Sequence, residues 1–313
     1  SVSNYPLIPF YIYYSMFGFQ RVGDLCWAAG DCQARGFLIG ATAGRTTLNG
    51  EGLQHQDGHS HILSSTVPNC VSYDPTYAYE LAVIVQDGLR RMYKEMESVF
   101  FYITTMNENY TQPEMPKGSE AGIIKGMYLL EDGESKENKV AKPRKGTSGQ
   151  RLRLLGSGTI LREVRKAAET LRKDFGVVTD VWSVTSFNEL RKDALAVDRE
   201  NMLHPEKKPT ASFVTEQLGK QKGPVIATTD YMKSYADQIR EFVPDTYRVL
   251  GTDGFGRSDS REKLRHFFEV DAKFVVLAAL TELKEQGAIT AKEITDFMKK
   301  SGISKNKANP VSQ

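Results

Sequence analysis

The chain has 313 residues, of which 40% are hydrophobic, enough apolar side chains for about two globular domains. Lys and Arg number 41 against 39 Asp and Glu, and this formal charge of +2 provides no reason to expect nucleic acid or an anionic membrane as a partner. Three cysteines are too few for a disulfide framework and favour a reducing compartment, and the sequence predicts neither a membrane span nor an export signal.

The first hundred residues alternate between short apolar runs and longer segments with helical spacing, which is typical of an α/β layer structure. A crossover helix is predicted over 75–96, where Pro75 suits a first helical turn. The first apolar run follows almost directly on Ser1, as expected of a chain cut inside a domain. The predicted strands are 8–14, 37–42, 69–73 and 99–105.

A segment over 131–150 that is rich in charge, Gly and Ser predicts a linker between two domains. We therefore expect a first domain over 1–130 and a second over 151–313. Thr290 and Glu293 form a capping-box pattern for a helix near the end of the second domain. The other elements predicted there are strands over 151–156, 177–184, 224–229 and 247–252, and helices near 159–174, 187–201 and 231–242.

Residues 49–62, NGEGLQHQDGHSHI, contain three of the five histidines and three glycines, and we call them the histidine loop. A zinc site is one interpretation. Two observations argue against it: the glycines disfavour a helix, and the glutamate that HExxH chemistry needs directly after the first histidine is missing. A polar surface loop is a second interpretation. A third is a rigid loop that presents one glutamate and one histidine to a cleft. Composition alone does not choose among them.

Residues 251–256, GTDGFG, are called the glycine turn. Their spacing differs from the GxGxxG of dinucleotide-binding folds, so a strand-to-helix turn is the simpler prediction. We expect Ser258 or Asp259 to cap the helix that follows. Phosphate binding at that helix N-terminus is an alternative.

Several unbroken blocks, in order along nearly the whole chain, resemble the homodimeric type of bacterial pyruvate dehydrogenase, the decarboxylating component of the pyruvate dehydrogenase complex. The resemblance begins with IPFYIYYSMFGFQRVGDLCWAAGDCQARGF and GRTTLNGEGLQHQDGHSHI. It continues through YDPTYAYE, YITTMNENY, LLGSGTILREV, SVTSFNELRKD, NMLHP, TTDYMK and YRVLGTDGFGRSDSREKLRHFFEVDA. Such an ordered set is far more specific than any single short motif.

The resemblance implies an α/β fold with two transketolase-like three-layer domains and mainly parallel sheets. They would be most of the family's pyrimidine-binding domain and all of its C-terminal domain. The implied cofactors are thiamine diphosphate and Mg²⁺. This chain has no Gly-Asp-Gly motif for the metal, and the family's ring-activating glutamate would lie upstream of Ser1. We therefore expect the metal ligands to lie outside this chain. The chain itself would supply only part of an active site.

By the same resemblance, His55 corresponds to the family's active-site histidine and Glu51 to an active-site glutamate near the subunit interface. Tyr14 corresponds to a tyrosine that faces the reacting groups, and Phe17 to the aromatic residue that packs against the aminopyrimidine ring. Each has a structural alternative, since strand ends are rich in buried aromatic residues and loops in ordering carboxylates. Gln56 stands where an acidic residue is expected.

The implied reaction is oxidative decarboxylation of pyruvate with acetyl transfer to the lipoyl group of dihydrolipoyl acetyltransferase, linking glycolysis to acetyl-CoA. The implied assembly is a homodimer in the bacterial cytoplasm, bound to the acetyltransferase, with neither nucleic acid nor membrane as partner. Two alternatives remain at this point: a related thiamine-dependent 2-oxo acid or transketolase-type enzyme, and a non-catalytic dimerisation or docking module.

Overall fold

A computed structural model describes Tyr5, residues 7–138, Val140 and residues 151–313. Most of the predicted linker, residues 139 and 141–150, therefore lies outside the described residues. Within the described part, the predicted α/β fold is confirmed as two mainly parallel sheets, each with helices on both faces.

The first sheet is parallel throughout and has the strand order β1-β2-β4-β3. All four predicted strands are confirmed, and β1 is an edge strand in register with β2 from Phe10 opposite Phe37. Their bounds are Phe10–Tyr13 (β1), Phe37–Ala41 (β2), Cys70–Tyr73 (β3) and Phe100–Thr105 (β4).

Helices cover both faces of this sheet. The central strand β4 has apolar side chains on both of its sides, and these are buried only if both faces are covered. Phe101 and Ile103 pack under α3 (Ala78–Leu89) and α4 (Glu120–Lys125), whereas Tyr102 packs under α1 (Phe19–Asp31). Alternate side chains of a strand point to opposite faces, so a strand buried on both sides needs apolar residues at every position. The short α2, Ser60–Ser64, begins within the histidine loop and contains its last three residues.

Helix α3 begins three residues later than predicted. The carboxylate of Glu80 accepts hydrogen bonds from the backbone N–H groups of Thr76 and Tyr77, at 2.5 and 3.0 Å, and this capping box starts the helix at Ala78. Pro75 therefore precedes the helix instead of lying in its first turn. A π-helical segment, Arg90–Lys94, follows its end.

The second sheet has the order β5-β7-β6-β8-β9, with β5 antiparallel to β7 and the other pairs parallel. Strand β5 was not predicted. It begins at Met127, so the second sheet includes residues from before the expected boundary after residue 130. A turn at Gly126 in the left-handed conformation leads directly from α4 into β5. The strands are Met127–Glu131 (β5), Leu152–Gly156 (β6), Thr179–Val184 (β7), Val225–Thr228 (β8) and Tyr247–Leu250 (β9).

One face of this sheet packs against α5, α9 and α10, and the other against α6, α7 and α8. No helix in the described ranges is long and apolar enough to cross a membrane. The helices are Leu161–Phe175 (α5), Phe187–Leu203 (α6), Phe213–Gly219 (α7), Lys233–Asp237 (α8), Arg261–Phe267 (α9), Ala272–Glu285 (α10) and Ala291–Ser301 (α11).

Two capping predictions have different outcomes. The capping box of Thr290 and Glu293 is confirmed at the start of α11. The prediction that Ser258 or Asp259 caps α9 is wrong: Ser260 is the N-cap, and its hydroxyl accepts from the backbone N–H of Lys263. The predicted helix over 231–242 is divided into the short α8 and a 3-10 turn, Arg240–Phe242.

Candidate active site

The candidate site lies where β1 and β2 end, at the carboxyl edge of the first sheet. Parallel neighbours end at the same edge, so the residues after β1 and the loop after β2 share this position. A 3-10 turn, Ser15–Phe17, follows Tyr14, and the Ser15 hydroxyl donates to the carbonyl of Thr42 at 3.2 Å. This bond fastens the two chain segments together.

Three of the predicted site residues form one group of rings, which we call the aromatic cluster: Tyr14, Phe17 and His55. The centroid of the His55 ring lies 5.2 Å from that of Tyr14 and 5.1 Å from that of Phe17, and the latter two are 5.9 Å apart. All pairs are tilted, an arrangement favoured by ring quadrupoles. The structure therefore brings together residues 41 positions apart in sequence, from 14 to 55.

Glu51 is the fourth predicted residue, and it lies beside His55. His55 is the last residue of a 3-10 turn, Leu53–His55, and its Nδ1 lies 3.8 Å from the Glu51 carboxylate. This distance permits charge attraction but no hydrogen bond. Within the described residues, the buried Nδ1 has no hydrogen-bond partner. The His55 side chain as a whole is 22% exposed, so a polar ring with an unpartnered nitrogen borders the surface at this edge of the sheet.

Arg21 also borders the aromatic cluster, although sequence reasoning did not single it out. Its guanidinium lies 4.1 Å from the centroid of the Phe17 ring, a cation–π contact. Phe17 ends the 3-10 turn before α1, and Arg21 lies four positions later in the first turn of α1. This i,i+4 spacing was the sequence signal for their contact. Arg21 places a positive charge beside the cluster.

The three histidines of the histidine loop do not converge, which argues against the zinc interpretation. His55 belongs to the aromatic cluster, Nε2 of His59 contacts the Gln20 amide oxygen at 2.5 Å, and His61 is fully buried. No group of three or more His, Cys, Asp or Glu suited to a metal ion occurs in the described part of the chain.

His61 is a core residue with both ring nitrogens engaged. Nδ1 lies 2.7 Å from the Ser72 hydroxyl and Nε2 lies 3.0 Å from that of Thr104. Burial lowers the pKa of His61 to about 3, so the ring stays neutral. The ring stacks on Tyr235 of the second domain, 4.8 Å between centroids. His61 therefore helps to hold the two domains together.

A free polar surface loop is also a poor description of this region, because polar groups on both sides of His55 are bound to the second domain. Asp230, fully buried after β8, accepts from the backbone N–H and the hydroxyl of both Thr46 and Thr47, at 2.6–3.1 Å. The Gly58 carbonyl accepts from the backbone N–H of Met232 at 2.8 Å. The second domain thus fixes both ends of the segment that carries His55.

Asp74, directly after β3, is a further buried carboxyl group at the domain boundary. Its Oδ1 accepts from the hydroxyls of Thr104 at 2.7 Å and Tyr231 at 3.2 Å, whereas Oδ2 has no hydrogen-bond partner among the described residues. Burial raises the pKa of Asp74 to about 7. The folded protein therefore holds a proton that an unfolded carboxyl, with a pKa of about 4, releases.

This difference in pKa predicts a pH-dependent stability. The contribution of Asp74 is fully present below about pH 4 and is lost as the pH rises to about 7, a change of a few kcal/mol at most. In the complete subunit, the melting temperature of Asp74→Asn is therefore expected to fall less between pH 5 and 7.5 than that of the parent. The control is Asp174→Asn, a partly exposed carboxylate with a surface ion pair to Lys300. Parallel melting curves for parent and Asp74→Asn would contradict the assignment.

Two family models match the chain: the pyruvate dehydrogenase E1 component middle domain over residues 1–113 and the transketolase-like TK C-terminal domain over residues 126–271. The chain is 64% identical to the pyruvate dehydrogenase E1 component of Pseudomonas aeruginosa and 61% identical to that of Escherichia coli K12, each over 99% of its own length. The chain carries a pyruvate dehydrogenase E1 middle domain and a transketolase-like C-terminal domain. It spans 34% of the length of these two relatives, about one third.

Solved transketolase structures share the fold of this chain at low sequence identity. A transketolase from Campylobacter jejuni superposes with a TM-score of 0.64 at 17% identity, over 88% of this chain and 36% of that one. A split-gene transketolase, an inactive beta4 tetramer, gives 0.57 at 16% identity, over 88% of this chain and 76% of that one. The predicted transketolase-like fold is confirmed. The second family model starts at residue 126, in agreement with the position of β5 in the second sheet.

Proposed function

We propose that this chain is part of a pyruvate dehydrogenase subunit that decarboxylates pyruvate oxidatively and transfers the acetyl group to the lipoyl group of dihydrolipoyl acetyltransferase. The observation that carries the proposal is the aromatic cluster, with an unpartnered histidine nitrogen at the carboxyl edge of a parallel sheet. The similarity to pyruvate dehydrogenase E1 components supplies the reaction class, and the whole activity requires the part of the protein outside this chain.

The residues present fit the aminopyrimidine ring of thiamine diphosphate, because Phe17 and Tyr14 offer aromatic surface at the sheet edge. Thiamine diphosphate, when bound, supplies an electron sink for the cleaved carbon–carbon bond. We propose that Phe17 contacts the cofactor ring and that Tyr14 lies beside both cofactor and substrate. We propose that the Mg²⁺ ligands lie outside this chain, which has no Gly-Asp-Gly motif.

We assign His55 the role of proton transfer at Nδ1. The Glu51 carboxylate, 3.8 Å away, lies beside the ring that would exchange this proton with the substrate. The Tyr14 hydroxyl, on a side chain that is 45% exposed, can donate one hydrogen bond to the reacting group.

We propose further that the complete protein is a homodimer in the bacterial cytoplasm and binds the acetyltransferase of its complex. Exposed apolar side chains at the edge of the first sheet support burial against another surface: Phe10, Tyr11 and Ile12 of edge strand β1 are 49%, 59% and 67% exposed, and Trp27 of α1 is 48% exposed. Neither nucleic acid nor membrane is proposed as a partner.

Turnover by the complete subunit tests the proposal and separates its rivals. With Mg²⁺, thiamine diphosphate and ferricyanide as electron acceptor, we expect release of CO₂ from pyruvate. Transfer of a two-carbon unit between sugar phosphates without decarboxylation of pyruvate would instead favour a transketolase-type enzyme.

The docking-module alternative is tested with the chain itself. We expect this chain alone to be inactive, as the split-gene transketolase tetramer is, and to support decarboxylation when the N-terminal part is added in trans. Stable association of the two parts without any turnover, under conditions where the intact subunit is active, would favour a non-catalytic module.

A further inference from the structure

The glycine turn of the second domain packs directly against the loop that carries His55. Arg45 precedes the histidine loop in sequence and is buried. Its guanidinium donates to the carbonyls of Thr252 and Gly254 in this turn. The backbone of Thr252 is tied in turn to Tyr231, at 2.8 Å from its N–H to the Tyr231 carbonyl. The turn therefore serves as a rigid support instead of a free surface loop.

Gln56, the residue after His55, makes the closest link between the two segments. Its side chain is 1% exposed, its Nε2 donates to the Leu48 carbonyl at 3.1 Å, and its Oε1 accepts from the backbone N–H of Arg257 at 2.5 Å. One amide thus bridges Leu48, just before the histidine loop, and Arg257, just after the glycine turn. A charged or apolar side chain does not supply both the donor and the acceptor.

The approach of the turn is as close as a glycine allows. A Cβ atom at Gly256 would lie 2.8 Å from Oε1 of Gln56 and 2.9 Å from the carbonyl oxygen of Leu53. Leu53 begins the 3-10 turn that ends at His55, and the backbone N–H of Gln56 closes that turn on the Leu53 carbonyl at 3.2 Å. The glycine turn therefore contacts the short turn that sets the direction of the His55 ring.

We propose that Gln56 is a positioning residue that couples the glycine turn of the second domain to His55. The inference rests on the proposed function, since it assigns Gln56 to the same reaction. A side chain held at both ends fixes the backbone on the C-terminal side of His55, and the aromatic cluster restrains the ring itself. The second domain thereby determines the geometry of a catalytic loop on the first domain.

The test compares Gln56→Leu, Gln56→Glu and the parent in the complete subunit. Gln56→Leu removes both hydrogen bonds at similar volume, and we expect kcat for pyruvate decarboxylation to fall about 10-fold or more with a smaller change in KM, because misplacing a catalytic group lowers the rate steeply. Gln56→Glu keeps the acceptor for the Arg257 N–H but loses the donor to the Leu48 carbonyl, and its kcat should lie between those of Gln56→Leu and the parent. The matched control is Gln286→Leu, an exposed glutamine after α10, which should retain parental kcat.

A second readout does not depend on turnover. Carbethoxylation of His55, followed by peptide mass spectrometry and normalised to the partly exposed His204, should become faster in Gln56→Leu and show an intermediate rate in Gln56→Glu. Parental kcat and parental His55 reactivity in Gln56→Leu would overturn the proposal. Equal loss in both variants together with a lowered melting temperature would also overturn it, in favour of a purely structural role. An inactive parent, by contrast, would refute the proposed function, and the His55 reactivity would still decide whether Gln56 positions the ring.

Discussion

His55→Ala in the complete subunit is expected to lower the rate of pyruvate decarboxylation by about 100-fold or more, the effect of losing a positioned proton-transfer group. The expectation follows from the place of the ring, between Tyr14 and Phe17 with Nδ1 unpartnered and a carboxylate nearby. The measurement is the initial rate with ferricyanide, thiamine diphosphate and Mg²⁺ at saturating pyruvate.

The control for this prediction is His204→Ala. His204 ends α6 in the second domain, where its ring contacts the exposed carboxylates of Glu200 and Glu206 at 3.0 and 3.3 Å. Surface ion pairs of this kind contribute little, so the control should turn over at the parental rate. An active His55→Ala variant with a parental rate would show that the histidine loop has a mainly structural role.

Asp230→Ala is expected to be the most destabilising single change at the domain boundary, by about 3 kcal/mol or more, because it leaves buried donors of Thr46 and Thr47 without an acceptor. Asp230 is fully buried, and its carboxylate accepts four hydrogen bonds, from the backbone N–H and the hydroxyl of each of these threonines. Urea unfolding of the complete subunit measures the loss. Hydrogen exchange at the amides of Thr46 and Thr47 reports whether it begins at this boundary.

Asp296→Ala is the matched control for Asp230→Ala. Asp296 lies on the exposed face of α11 and pairs with the exposed Lys292, an i,i+4 ion pair expected to contribute only about 0.5 kcal/mol. If Asp230→Ala unfolded at the same urea concentration as Asp296→Ala, the four hydrogen bonds would not hold the boundary. Unchanged exchange at Thr46 and Thr47 would lead to the same conclusion.

Much of the fold was predictable because periodicity is a local property. Each of the eight predicted strands is present, since runs such as residues 99–105 are apolar at nearly every position and can only be buried on both faces. Helix α1 was not predicted: it carries glycines at positions 23 and 30, and its Gly18 N-cap provides no side-chain bond. Strand β5 was also missed, because only its pairing with β7 distinguishes it from the end of the first domain.

The site residues were reachable only through family resemblance. A tyrosine and a phenylalanine after a strand are ordinary core candidates, and nothing local relates Tyr14 to His55. Their contact depends on β1 and β2 ending at one edge. Gln56 was noted only as a departure in charge, whereas its buried amide bridge involves Arg257, 201 positions away.

By itself, the sequence determined the α/β class, eight of the strands, the Thr290 cap and, through long ordered blocks, the family resemblance, because these depend on neighbouring residues or on similarity along the chain. Only the tertiary structure decided which histidine faces the sheet edge and which lies in the core, and how Asp230, Arg45 and Gln56 join the two domains. Burial and hydrogen-bond partners arise from segments distant in sequence, and they determine whether a polar residue is a catalytic group, a structural link or part of the solvent-exposed surface.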